Sequence, residues 1–251
     1  MAEGKQIALS IILELIGSIM LGMGQSIFRY MALSSQISLV IFPAWAWFCY
    51  VSCYRVSGGH LNPIFSLAAL LRPDKPANHD NLAVFLYIPI QFLGFTLGVL
   101  CQWWFDQEAG KIRFQLQPGS TEDYYWSECT WMELFACFVV VFAFLTQTGE
   151  NTACSKDPAF QTFAYGMSYG AYVIYSFYWP GGCLNPAYAF AQALWNVIDV
   201  KKSMEEEAYK FFGNYIGCAL AGMAIALAIH WIISIKAHDH AQKNDMEVVK
   251  E

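Results

Sequence analysis

The sequence predicts an all-α membrane protein, with six transmembrane helices and two half-length helices arranged as an inverted repeat. Three observations carry that prediction. Of 251 residues, 57% are hydrophobic and 14% charged, well below the roughly 25% charged residues of a soluble domain. Six stretches satisfy the roughly 17–25 apolar residues that a bilayer span requires. The run GGHLNP at 58–63 returns as GGCLNP at 181–186 with one substitution, and each copy leads into a short apolar run.

The spans fall at residues 7–28, 36–54, 82–105, 129–148, 159–179 and 211–235. The first holds one charge, Glu14, and the fourth holds one, Glu133; the sixth has no Asp, Glu, Lys or Arg and a single histidine, His230. The two shorter runs, His60–Leu71 and Cys183–Ile198, are about 12 and 16 residues long and too short to cross. Each begins at an Asn-Pro pair. Asn caps the orphan amides of a helix start, and Pro suits the first helical position because it has no N–H to satisfy. Discontinuous helices in corresponding places of two halves point their positive N-termini at whatever passes between them.

The halves align on their asparagines. Glu14 precedes Asn62 by 48 residues and Glu133 precedes Asn185 by 52, while Gly94 and Gly217 each follow by 32. Three spans per half is an odd number, so the second half sits upside down and the half-helices enter from opposite faces. The whole chain, 1–251, reads as a single membrane domain: repeat one at about 7–105, a loop at 106–128, repeat two at about 129–235 and a polar tail at 236–251. The tail composition predicts disorder, and the loop is expected to lie over the outer mouth. With both termini cytoplasmic, eight Lys and Arg residues lie inside and six outside, which favours that orientation slightly.

Smaller signals fit the same picture. Gly94/Gly98, Gly166/Gly170 and Gly213/Gly217 have the spacing that lets helices cross closely in lipid. Pro43 and Pro89 fall inside spans and are expected to kink them. Trp103, Trp104, Trp126 and Trp131 gather at span ends, as interfacial belts do. No basic run suggests nucleic acid. The first span lacks a small-residue cleavage site and reads as a mature helix. Eight cysteines without a C-x-x-C spacing argue against a metal site, and no cofactor is expected. Cys101 and Cys129 flank one loop and pair only if it faces an oxidising space. His238 and His240 lie in the tail without metal-site spacing, and His230 is expected at a helix end or facing the bundle.

Glu14 and Glu133 are costly at membrane depth, by roughly 2.5–3.5 kcal/mol on insertion scales. Two readings exist: proton coupling, or acceptance of hydrogen bonds from the non-helical backbone entering each half-helix, which protein must satisfy inside hydrocarbon. No chain of further intramembrane acids accompanies them, so the structural reading is favoured.

Six spans, a Glu in spans 1 and 4, SGGHLNP at 57–63 and GGCLNPA at 181–187 resemble the aquaporin (major intrinsic protein) family over about residues 7–235. The resemblance implies a homotetramer in the lipid bilayer with one pore per subunit, and single-file passage past Asn62 and Asn185. The pore motifs then comprise Asn62, Pro63 and Ile64, and Asn185, Pro186 and Ala187. Two departures stand out. Ile64 replaces the usual Ala, and Tyr188 stands where most members carry a filter Arg. Counting from the asparagines, the other filter positions fall on Phe42, Val173 and Gly182, or on Tyr172 if the register slips by one. His60 and Cys183, two residues before each Asn, are candidate pore-lining groups. NPAYAFA looks more like the unorthodox, or superaquaporin, branch, which is often intracellular.

These residues lead to the expectation of a passive channel for water and small neutral solutes such as glycerol or hydrogen peroxide, with a filter lacking Arg. The alternative is a non-conducting subunit of the same fold within a larger membrane assembly, favoured by Ile64, Tyr188 and the aromatic load. An enzyme is not expected: no nucleophile–base pair, phosphate loop or metal spacing is present.

Overall fold

Residues 2–31, 38–76, 79–105, 126–176, 182–199 and 212–248 are described by the computed structural model, and among them the chain forms eight helices and no strand. They are α1 (Ala2–Met31), α2 (Ser38–Ser57), α3 (Pro63–Leu71), α4 (Asn81–Phe105), α5 (Trp126–Thr148), α6 (Pro158–Tyr175), α7 (Pro186–Asp199) and α8 (Phe212–Val248). Five stretches are long and apolar enough to cross a membrane: Gly4–Phe28, Leu39–Ser57, Asn81–Trp104, Ser127–Thr148 and Phe212–Ala237. The sixth long helix, α6, has 18 residues, and the expected fifth span runs past its end into residues outside the described ones. The loop expected over the outer mouth lies largely outside them too.

Local chemistry sets the helix starts. Asn62 caps α3 with extended backbone, its Oδ1 accepting the Ile64 N–H at 3.1 Å, and Pro63 follows at the first position. Asn185 does the same for α7 through Ala187 N–H at 2.9 Å. Asp157 with Pro158 starts α6, and Asp80 accepts from Leu82 and Ala83 at the start of α4. In each case a side-chain oxygen satisfies an amide that has no partner in the helix.

The packing follows the twofold pattern of the sequence. α1 lies along α4 and α5 along α8, while α2 meets α6 across the centre. Two of the three glycine pairs sit at these crossings. A Cβ on Gly94 would meet the Leu15 carbonyl at 2.9 Å, and one on Gly98 would meet the Met23 amide at 2.9 Å. A Cβ on Gly166 would lie 2.9 Å from the Trp47 Cα, and Gly170 sits against Pro43. The third pair behaves differently from expectation. A Cβ on Gly213 or Gly217 would meet nothing within 4 Å, and the α5–α8 crossing runs through Gly222, where a Cβ would lie 2.6 Å from Leu134 O and 2.7 Å from Phe138 N. The spacing of small residues is present on the exposed face, but the contact is one turn further along.

Apolar side chains cover the outside, with Val40, Leu82, Phe85 and Ile232 among the exposed ones, while Glu14, Gln25, Asn62, Gln91, Glu133 and Asn185 are buried. Lipid is the solvent for such a surface. Trp104 and Trp131, both strongly exposed, mark the ends of α4 and the start of α5. The side chains of Trp126, His238 and His240 lie outside the described residues. Disorder in the tail is overturned: α8 continues to Val248. The segment IKAHDHAQKNDMEV has no Gly or Pro, and its Ala, Lys, Gln, Met and Glu are good helix formers. Among the described residues no disulfide forms, so Cys101 and Cys129 are not joined to each other by one.

Candidate functional site at the paired half-helices

The two Asn-Pro loops meet through a reciprocal exchange. Asn62 Nδ2 donates to the Leu184 carbonyl at 3.0 Å, and Asn185 Nδ2 donates to the Leu61 carbonyl at 3.1 Å. Both leucines hold a left-handed backbone, with φ of 46° at Leu61 and 52° at Leu184. That conformation costs a non-glycine residue about 1–3 kcal/mol. It persists because each leucine is tied at both ends. The Leu61 N–H donates to Glu14 Oε2 at 2.8 Å, and the Leu184 N–H donates to Glu133 Oε1 at 2.6 Å. Each intramembrane acid therefore receives backbone from its own repeat, and each asparagine secures the carbonyl of the other. A side-chain amide carries two N–H bonds, so each asparagine has a second donor beyond the one that reaches across. The positive ends of α3 and α7 converge on the same place.

Around the first loop a polar network spreads from Glu14. Glu14 Oε1 accepts from Ser57 Oγ at 2.7 Å and from the His60 N–H at 2.9 Å, and Gln91 Nε2 donates to Oε2 at 2.8 Å. Gln91 also donates to Ser66 Oγ at 2.9 Å, and Ser66 pairs with His60 Nδ1 at 3.2 Å. A cavity of about 660 Å³ opens here between the ends of α1, α2, α3, α4 and α5, with Tyr54, Arg55, Arg72, Asn81 and Thr148 in its wall, and reaches inward to His60 and Phe144. His60 sits edge-on between Tyr87 at 5.5 Å and Phe144 at 5.3 Å.

Beyond His60 the interior turns aromatic. Phe65 stacks on Phe144 at 4.6 Å, Tyr165 sets its edge against both, and Tyr50 meets Tyr165 at 5.0 Å. Phe65 stands three residues after Asn62, as Tyr188 stands three after Asn185. That register is present in the sequence, although the family resemblance draws attention to Tyr188 alone.

The four residues expected at the filter each pack against neighbours from other elements. Val173 meets Gly182, whose φ of 65° leaves its α-hydrogen side against the Val173 carbonyl. Phe42 stacks on Phe28 of α1 at 4.9 Å. Tyr188 sets its ring against Phe95 of α4 at 6.1 Å. Tyr172, the alternative to Val173, packs toward Phe135 of α5. Cys183 Sγ donates to the Asn185 carbonyl at 3.2 Å. A residue the sequence reading missed joins this region: Gln25 of α1 donates through Nε2 to the carbonyls of Gly182 and Cys183 at 2.9 and 3.0 Å, and accepts from Tyr169 Oη at 2.7 Å. No motif announces it. Asn62 and Tyr188 are 0% exposed, Asn185 1% and Ile64 2%.

At the far end of α3, charges are pinned together. Arg72 Nε donates to Asp74 Oδ1 at 3.0 Å, Nη1 to Thr148 at 2.7 Å and Nη2 to the Leu145 carbonyl at 2.8 Å. His230 Nε2 of α8 lies 2.8 Å from the same Asp74 oxygen. His230 thus faces the bundle. Burial alone raises the Asp74 carboxyl, but hydrogen bonds from His230 and Arg72, with their charges, outweigh it and hold its pKa below the ordinary carboxylate value.

Comparison with known proteins places this geometry. A search among curated proteins by sequence returned no match. Among solved structures, the aquaglyceroporin from Plasmodium falciparum superposes with a TM-score of 0.67 at 14% identity, over 92% of this chain and 99% of that one. The major intrinsic protein family profile matches residues 5–226. A match over that much of the chain, together with the paired half-helices, shows that the chain belongs to the major intrinsic protein family of membrane channels, whose aquaporins pass water or small solutes passively and are not enzymes.

Proposed function

We propose that the chain forms a passive pore for water and for small neutral solutes such as glycerol and hydrogen peroxide, with a filter of Phe42, Val173, Gly182 and Tyr188 that lacks a fixed cation. Repeats at about 7–105 and 129–235 build one pore in each subunit of a homotetramer. The observation that carries this reading is the reciprocal exchange at the centre. Two half-helices present their N-termini and two asparagine amides to one point. Cations and protons meet a positive potential there, while a neutral hydrogen-bonding molecule meets donors. Tyr188 supplies a hydroxyl and an aromatic face where a filter Arg supplies charge, so discrimination in this channel rests on the centre more than on the mouth. His60 and Cys183 stand just before the two asparagines and line the approaches to them in this reading.

Stopped-flow light scattering of proteoliposomes under water and glycerol gradients tests it. Shrinkage and swelling faster than in protein-free vesicles is the expected result; rates equal to protein-free vesicles for water, glycerol and hydrogen peroxide reject it.

A second reading, a non-conducting subunit of a larger membrane assembly, draws on the burial of Asn62, Ile64, Asn185 and Tyr188. Protein-free rates for all three solutes, from protein that remains folded in the vesicles, favour that reading.

A further inference from the structure

Backbone that is not helical carries carbonyls which must find donors inside a membrane. In the second Asn-Pro loop those donors come from side chains. The Leu184 carbonyl takes Asn62, as the Leu61 carbonyl takes Asn185. This pairing is twofold and belongs to the shared scaffold. The next two carbonyls back, Cys183 and Gly182, both go to the Gln25 amide, and this is not twofold. Gln25 lies 11 residues after Glu14; the residue 11 after Glu133 is Phe144, which has no donor. The inverted repeat therefore does not require an amide at position 25. Gln25 is fully buried, both its N–H bonds are used, and its oxygen is held by Tyr169. An amide that gives two hydrogen bonds to adjacent loop carbonyls and accepts one does what a water molecule in single file would do at the same place.

We propose that Gln25 is an internal substitute for permeating water: its side chain closes the pore at the second loop, and its displacement by water or a solute hydroxyl opens it. The proposal rests on the channel reading above. Gln25 then sets the resting permeability and favours permeants that offer donors to the Gly182 and Cys183 carbonyls over those that cannot. Tyr169 acts through Gln25 as a positioning residue, since its hydroxyl orients the amide.

The test is osmotic water and glycerol permeability of the full chain in proteoliposomes, for wild type, Gln25→Ala, Gln25→Met and Tyr169→Phe, with thermal unfolding in detergent as a check on fold. Gln25→Ala is expected to raise water permeability roughly tenfold, the scale of removing two net hydrogen bonds from the closed state. Gln25→Met keeps the bulk and deletes the donors, and a rise there assigns the effect to hydrogen bonding rather than to space. Tyr169→Phe gives a smaller rise. Loss of a merely structural bond lowers permeability or leaves it unchanged. If wild type exceeds protein-free vesicles and folded Gln25 variants do not exceed wild type, the substitute role fails while the channel reading stands. If wild type and every folded variant stay at the protein-free level, both fail. Should Gln25→Ala not fold, Gln25→Met and Tyr169→Phe decide in the same terms.

Discussion

The first and second Asn-Pro loops share their backbone and differ in what surrounds it. Both place a leucine in the left-handed region, both give its N–H to a glutamate of the same repeat, and both give its carbonyl to the asparagine of the other. Around that common frame the first loop has Ser57, Ser66, Gln91 and His60 beside an open cavity. The second has Cys183 and Tyr188, with its carbonyls covered by Gln25. The shared features are those that any chain with two half-helices must solve: unpaired backbone inside hydrocarbon. The differences are free of that demand, and in the proposed channel they are what sets which molecules pass.

The comparison breaks most severely at the acids. Glu14→Gln keeps one acceptor oxygen but turns an NH2 toward the donors of the other, among them either the His60 or the Leu61 N–H, and is expected to cost about 3–5 kcal/mol of stability, since the two buried donors on that oxygen lose their acceptor. Thermal unfolding in mild detergent reads it. Glu133→Gln within about 1 kcal/mol of that value shows the acids to be equivalent parts of the frame; a much milder effect shows the second loop to be held mainly by Gln25 and Asn62.

A device present in one half only comes next. The counterparts of Arg72 and Asp74, counted from Asn185, are Trp195 and Val197, so the charge cluster belongs to the first repeat alone. Asp74→Ala leaves the buried Arg72 guanidinium without its carboxylate and is expected to cost about 3 kcal/mol. The pH dependence has a definite sign. A carboxyl whose pKa is lowered on folding stabilises fully above its unfolded value of about 4 and loses that contribution as pH falls through the folded value. Unfolding temperatures measured from pH 7 downward should therefore decline at the acid end, and the decline should shrink in Asp74→Asn.

The smallest expected difference lies between two glycines of one helix. Gly222→Val forces a side chain into the Leu134 carbonyl and the Phe138 amide, and is expected to cost about 1–3 kcal/mol. Gly217→Val meets open space, and its change should stay within about 0.5 kcal/mol. A large loss at Gly217 would mean that its exposed face is covered in the assembled protein.

The frame of this molecule was readable before any coordinates because its demands are written in residue type. Apolar length, a lone Glu in each of two spans and a doubled Asn-Pro each report a backbone or solvation problem with few solutions. The contents of the interior were less readable. Gln25 is one polar residue near the end of an apolar span, and nothing in its neighbours points to carbonyls 157 and 158 residues away. Arg72, Asp74 and His230 are scattered in sequence and joined only by packing. Glycine spacing named the right helix faces twice and the wrong one once, since the spacing shows where helices can approach and not whether a neighbour is there. The tail misled because a polar composition fits a solvated helix as well as a disordered chain.

The reciprocal asparagine exchange has a consequence for how the chain is made. The Asn185 amide that secures the Leu61 carbonyl is synthesised 124 residues after that leucine. At about 5–20 residues per second the ribosome needs on the order of ten seconds to supply it. Until then the first half-helix can be capped and anchored to Glu14, yet its central leucine has only one of its two tethers. The first repeat is thus complete in sequence long before it is complete in structure. A polypeptide terminated anywhere upstream of residue 185 carries that unfinished loop permanently, and cellular quality control has a specific defect to detect in it.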